Sequence, residues 1–369
     1  MRLLHRIISK ILKKKNLEDR FWNGNQNQAL GSFLSFRTAA IFLVAFLSIY
    51  AFFKFFQIDW DSVIDALRSL HIGNYIVALI SYYLSFLFRG MRWNIIAHNA
   101  FVADESEVHG LGRCNPVISG FTNFRSTLLV LCGWFVNSLI WLRLGDAYRA
   151  YRLGIISKLG FSWALGTLVA ERVLDMAIVF VAILFSLIMF SSGIQTEAIQ
   201  ILVISATLIT TLLFSFILLL MYGGNRVTLL MPARAQPYYL KFKMGVLKSF
   251  KNIVVITGLG LLAWILEFTR MFFVIESLSI GIPIYLVILA SMSNAVLSTF
   301  PTPGGIGFVE PGLTGILLIS VASTDAASIA LLDRSITYLS ILIFGGLAFW
   351  IHHIWFSKEL GSSNTVLSS

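Results

Sequence analysis

The sequence predicts an all-α, polytopic integral membrane protein, and three observations carry that fold class. The chain is 57% hydrophobic and 12% charged, where soluble domains carry roughly 25% charged residues. Its mean hydropathy is +0.82, and apolar runs extend from Thr38 almost to the C-terminus. Two similar polar clusters interrupt those runs. The first has Asn137, then Arg143, Gly145 and Asp146, then Glu171 and Arg172; the second has Asn294, then Pro303, Gly304, Gly305, Gly307 and Glu310, then Asp333 and Arg334. Charge at bilayer depth is expensive, so an Asn, an acid and an acid–Arg pair occurring twice point to a duplicated functional site.

In chain order, residues 1–37 come first as a basic segment. Leu3, Leu4, Ile7, Ile8, Ile11 and Leu12 share one helical face, with Arg6, Lys10, Lys13 and Lys14 largely on the other. That pattern suits an amphipathic helix in the headgroup region of an anionic leaflet. A basic tail obeying the positive-inside rule is the equal alternative. Both put the N-terminus in the cytoplasm. The segment is no cleavable signal, because its first apolar run begins too late and no small-residue cleavage site follows.

The runs 38–56, 74–88, 166–190, 198–222, 253–278 and 326–351 approach the ~20 apolar residues needed to cross the hydrocarbon core. Two further segments differ. Residues 127–141 have only a re-entrant length of apolar sequence, and 284–321 are broken by Pro301-Thr302-Pro303-Gly304-Gly305-Ile306-Gly307. The prediction is therefore a bundle of about six full spans with two re-entrant or broken segments. A plain eight-helix bundle is the alternative. Residues 38–352 form the transmembrane domain and 353–369 a short cytoplasmic tail.

Loop charges orient the spans. Residues 57–73 carry Asp59, Asp61 and Asp65 against Arg68 and read as external, whereas 223–252 carry Arg226, Arg234, Lys241, Lys243, Lys248 and Lys251 without an acid and read as a cytoplasmic loop. A full span over 127–141 would put Arg143, Arg149, Arg152 and Lys158 outside. A re-entrant hairpin from the cytoplasmic side avoids that conflict, and 284–321 then enter from the external side. The two clusters would form an inverted repeat with both termini cytoplasmic.

The Pro–Gly segment stops regular helix and frees backbone groups that need protein, water or ligand as partner. A helix starting after it would aim its N-terminal dipole at an anionic headgroup; the other reading is a break that only turns the chain. Without a Gly-Lys-Ser/Thr ending it is no nucleotide loop. Arg143 with Asp146 offers a phosphate-capable guanidinium beside a carboxylate, or an interfacial Arg with a helix-capping acid. Consecutive helical residues do not face each other, so Glu171, Arg172 and Asp175, and Asp333 and Arg334, each require a partner elsewhere. They are either a functional site or ion pairs that lock helices together. Glu267 and Arg270 read as a local pair, and Trp141 as a belt aromatic. Arg89, Arg92 and Trp93, like His352-His353, read as interfacial anchors. Cys114 and Cys132 supply neither a disulfide framework nor metal spacing, and no cofactor is expected. The net charge of +10 lies at the N-terminus and in loops, which fits topology and anionic lipid and argues against nucleic acid.

At Arg92-Trp93, at Asn137 to Arg149, at Glu171-Arg172-Val173-Leu174-Asp175, at Phe300 to Glu310 and at Asp333-Arg334, the sequence resembles the flippase-like transmembrane domain of lysylphosphatidylglycerol synthases. It departs from that family where a proline usually follows the first Asn, near Trp141. The resemblance implies translocation of a phospholipid or lipid-linked headgroup between leaflets of the cell membrane. Arg143 and Arg172 would meet phosphate, and Asp146 and Glu310 would balance charge or meet a cationic headgroup. It further implies no aminoacyl transfer, since the soluble synthase domain is absent, and hence no enzyme. Implied partners are membrane lipids (an anionic or aminoacylated phospholipid, or a polyprenyl-linked glycan) and a lipid-synthesis enzyme or glycosyltransferase. The rival is an intramembrane transferase, or an accessory subunit, acting on a lipid-linked glycan with Glu310 or Asp146 as base.

Overall fold

The computed structural model describes residues 68–109, 118, 120–189, 231–300 and 302–352, with scattered positions at 64–65 and between 204 and 228. Contacts divide the chain into units 1–55 and 56–369, and every described residue lies in the second. The described residues form helices and no strand. They are α1 (Ile72–His109), α2 (Asn123–Leu139), α3 (Leu144–Ser157), α4 (Phe161–Met189), α5 (Gln236–Leu247), α6 (Ile253–Ser277), α7 (Ile284–Leu297), α8 (Val309–Leu317) and α9 (Ser323–Arg334). The last continues through π-helical turns at Ser335–Leu339 and Ile341–Gly345 to His352.

Among the described residues, 72–101, 253–277 and 323–352 are helices long and apolar enough to cross a membrane. Their outward side chains are apolar, including Ile76 and Ile80 on α1, Val254 and Ile265 on α6, and Ile343 and Trp350 beyond α9. Polar and charged side chains point inward, the reverse of a water-soluble bundle and the arrangement a hydrocarbon solvent selects.

α1 and α6 lie antiparallel. At one end the His71 N–H donates to Ser277 O at 2.8 Å; at the other, Asn99 Nδ2 donates to Ser249 O at 3.3 Å. The second end is the basic one. There α5 meets the start of α4, with Ser162 Oγ donating to Tyr238 O at 2.6 Å and Lys241 Nζ to Leu159 O at 3.0 Å. α4 runs from this end to the other, where Ser186 Oγ donates to Tyr285 O. α9 runs the opposite way, from Ser335 beside Tyr75 to His352 beside Tyr148.

Within the described residues, α1–α4 and α6–α9 form two structural units, and each holds one broken hairpin. α2 starts with Thr122 as N-cap, its Oγ1 accepting from the Arg125 N–H. It packs antiparallel on α1, with Ser126 Oγ donating to Gly90 O and Trp134 edge-on to Phe86. The helix stops at Ile140, Leu142 and Arg143 take left-handed conformations, and α3 returns to the basic end. Close passage of α3 is possible because Gly145 faces the Gly133 carbonyl, where a Cβ would collide. In the second unit α7 packs on α6 through Ser291. It ends at Ser298, and the chain turns through Gly304, Gly305 and Gly307 at positive φ before α8 returns with Gly312 against Leu297. The tips meet in the middle, where Arg143 Nη1 donates to Ser298 O at 3.1 Å, and from the helix beyond α9 Tyr338 Oη donates to Ser138 O at 3.4 Å. Two helix–break–helix units of opposite orientation therefore enter from opposite ends, as the loop charges predict.

Three expectations need correction. The run 74–88 is the first part of a 38-residue helix, so Arg89, Arg92 and Trp93 are interior and buried, not an interfacial anchor. The supposed loop 223–252 contains α5, which docks on α4 where Gly166 meets Gly245. His352 is buried against Tyr148 and Arg152 instead of anchoring at an interface. The segments 1–37 and 38–56, the tail 353–369, and the Trp141 side chain lie outside the described residues. The described positions within 198–222 are helical.

Candidate functional site

A cavity of about 90 Å³ lies where the two tips meet, enough for several waters. The first unit contributes Asn137, Ser138, Arg143, Arg172 and Asp175, and the second contributes Asn294, Ser298, Thr302, Gly304, Arg334 and Thr337. Tyr82 and Arg89 of α1, Trp134 of α2, and Trp264, Glu267 and Arg270 of α6 line the rest. Arg89 is held between indoles, its guanidinium carbon 5.7 Å from the Trp134 ring and 5.1 Å from that of Trp264.

The acid–Arg dipeptides diverge as helical geometry requires. Glu171 turns inward to Arg92 at 3.1 Å and Arg149 at 2.8 Å, while Arg172 reaches Asp146 on α3 at 2.9 Å. Asp175, one turn on, pairs with Arg92 at 2.7 Å and accepts from Trp264 Nε1 at 3.2 Å. The second unit repeats the scheme. Asp333 turns inward to pair with Arg270 and accepts from Asn294 Nδ2, while Arg334 reaches Glu310 on α8 at 2.9 Å. Arg270 also pairs with Glu267 one turn earlier at 3.0 Å, the expected local pair, and Glu267 takes Arg89 at 3.1 Å. Removing one member of such a buried pair costs about 3–5 kcal/mol, so these ions also clasp the helices.

The breaks are held by their own acids and amides. Asn137 Oδ1 accepts from the Gly145 N–H at 2.8 Å. Glu310 Oε2 accepts from the Gly307 N–H at 2.8 Å, and Arg334 Nη2 donates to Gly304 O at 2.8 Å. Pro303 and Gly305 are buried within the second break, where Gly304 is packed against the Tyr338 ring.

Thus the structure brings Asn137, Arg143, Arg172, Asn294, Gly304 and Arg334 to one cavity. Asp146, Glu310 and Asp333 lie immediately behind as partners of its cations Arg172, Arg334 and Arg270, Glu171 is held by Arg92 and Arg149 outside the lining, and Gly145, Gly305 and Gly307 shape the breaks. Sequence reasoning missed Arg89, Arg92, Arg149, Trp134 and Trp264 as members of this centre. A signal was present on α1: Tyr82, Phe86, Arg89, Trp93, Ile96 and Ala100 recur at helical spacing and are all buried.

The model of the lysylphosphatidylglycerol synthase TM region matches residues 31–345. Three curated relatives are UPF0104 membrane proteins. One from Methanocaldococcus jannaschii is 29% identical over 59% of this chain and 94% of its own length. A second from that organism is 24% identical over 88% of this chain and 98% of its own length. One from Methanothermobacter thermautotrophicus is 29% identical over 29% of this chain and 34% of its own length. No solved structure matches. The chain belongs to the lysylphosphatidylglycerol synthase transmembrane-region family and is a helical membrane protein.

Proposed function

We propose that this member of the family moves the headgroup of a membrane lipid, either a phospholipid or a lipid-linked headgroup, between leaflets. The observation that carries the reading is one polar cavity built jointly by two oppositely oriented broken hairpins. A headgroup cannot cross hydrocarbon unaided, and non-helical backbone at membrane depth is tolerated where it lines such a polar path. The carboxylates behind the cavity favour this over the transferase reading. Glu310 is occupied by Arg334 and the Gly307 amide, and Asp146 by Arg172, with Arg143 and Arg149 beyond, leaving neither poised as a free base. In this reading the protein lies in the cell membrane with both termini and residues 223–252 on the cytoplasmic side.

The test is leaflet exchange of an acyl-labelled lipid in vesicles holding the purified protein. Exchange above protein-free vesicles, without chemical change to the lipid, is expected. Glu310→Gln, which keeps the amide contact but strands Arg334, should fold and lose most exchange. Gly304→Ala with Gly305→Ala should also lose exchange, because each substitution forces a side chain into left-handed backbone at about 1–2 kcal/mol. Turnover of the lipid in a single lipid phase would replace this reading with the transferase.

A further inference from the structure

The ion pairs of the two units do not carry the same charge. In the first, Arg92, Arg143, Arg149 and Arg172 share Asp146, Glu171 and Asp175, so one guanidinium is in excess. Around the second break, Arg270 and Arg334, with Arg89 reaching across from α1, are matched one for one by Glu267, Asp333 and Glu310. The surplus falls on Arg143. Its nearest carboxylate oxygen, on Asp146, is 3.8 Å away and belongs to a group that Arg172 holds at 2.9 Å. Its hydrogen bond runs to the neutral carbonyl of Ser298.

Arg143 faces the cavity together with Thr302, whose Oγ1 is buried with no hydrogen-bond partner among the described residues. Arg143 is about one-quarter exposed, and a surplus cation so far withdrawn from water is stabilised when an anion joins it. The surroundings say how that anion arrives. Leu142, next to Arg143, is 71% exposed. Phe300 and Phe308 flank the second break as exposed rings stacked 4.5 Å apart. An oxyanion seat whose two breaks also carry exposed apolar side chains suits a charge attached to acyl chains better than a free ion.

We propose, resting on the translocation reading, that the seat between the breaks takes the phosphodiester of a lipid headgroup carrying a single net negative charge, bound by Arg143 and Thr302. Zwitterionic and cationic headgroups are discriminated against because their amine brings back the charge that the phosphate neutralises. Selectivity of this kind resides in Arg143, the cation without a carboxylate of its own.

The experiment compares leaflet exchange of phosphatidylglycerol, phosphatidylcholine and lysylphosphatidylglycerol with identical labelled chains. Exchange of phosphatidylglycerol should be about tenfold faster than of the other two, the scale of one uncompensated like-charge contact at a partly solvated site. The ratio should collapse toward equality in Arg143→Gln and persist in Arg143→Lys. Equal exchange of all three lipids by the wild type would overturn the proposal while leaving translocation intact. Exchange of none would overturn translocation, and melting of the purified protein in neutral detergent would then test the seat alone. Stabilisation by phosphatidylglycerol, lost in Arg143→Gln, would support it; equal stabilisation by inorganic phosphate would overturn the lipid assignment.

Discussion

The unit α1–α4 and the unit α6–α9 share a plan but differ in what breaks them and in what charge they hold. In both, a long helix supports a hairpin that stops midway, a carboxylate on the returning helix takes the Arg of the next helix, and the acid before that Arg turns back to the long helix. The second break is made by proline and by three glycines at positive φ. The first has no proline and turns through Leu142 and Arg143, both left-handed. That backbone is unfavourable by roughly 1–2 kcal/mol per residue, and it directs the Arg143 guanidinium across to the other tip. The inverted scaffold is thus close to symmetric while its electrostatics are not. The common elements hold the bundle together, and the differing ones give the centre its chemistry.

The largest expected effect tests whether the shared elements are the clasp. Arg92→Ala removes the close cation of Asp175 and leaves Glu171 with Arg149 alone, and should cost about 3–5 kcal/mol, read as a large fall in melting temperature and folded yield. Arg172→Ala should cost clearly less, since Arg172 is about one-quarter exposed and Asp146 keeps Arg143 and Arg149 nearby. Equal melting of Arg92→Ala and wild type would remove the clasp from the comparison. A middle-sized effect separates how the hairpins close. Gly145→Ala drives a methyl into the Gly133 carbonyl and should cost about 1–3 kcal/mol, whereas Gly315→Ala, with nothing within 4 Å of the added Cβ, should melt like wild type. Similar melting of these two variants would mean that the first hairpin tolerates separation of its helices. The smallest effect concerns the tie between the first tip and the helix beyond α9. Tyr338→Phe keeps the ring over Arg334 but removes the hydrogen bond to Ser138, and a loss of about 0.5–1.5 kcal/mol is expected. A loss on the scale of Arg92→Ala would make that tie a main support of the centre.

Much of this arrangement was legible in the sequence, for identifiable reasons. Proline breaks a helix and clustered glycines weaken it, so the second break is written directly at Pro301 to Gly307. The charges of 223–252 and 57–73 point to hairpins that enter from opposite sides, and α2–α3 and α7–α8 do enter from opposite ends of the bundle. What stayed hidden depends on which helix faces which. Arg92 follows an apolar run and looks like its boundary, yet the helix continues to His109 and carries Arg92 inward to acids on α4. Sequence spacing links Glu267 to Arg270 but cannot reveal that the same pair joins Arg89 and Asp333 across helices. α5 was read as loop because its charges outweigh a short apolar pattern; its docking depends on Gly245 meeting Gly166, a fit between two distant backbones.

The antiparallel pairing of α1 with α6 carries a parity rule for the chain between the units. α4 finishes at the end where Ser186 meets Tyr285, and α5 begins at the other, where Tyr238 meets Ser162. The chain thus leaves the first unit at one end of the bundle and enters α5 at the other. Adding or deleting one crossing there would leave every residue of the second unit in place in the sequence and turn that unit upside down. Both hairpins would then approach from the same face, and the residues that meet at the cavity would be separated.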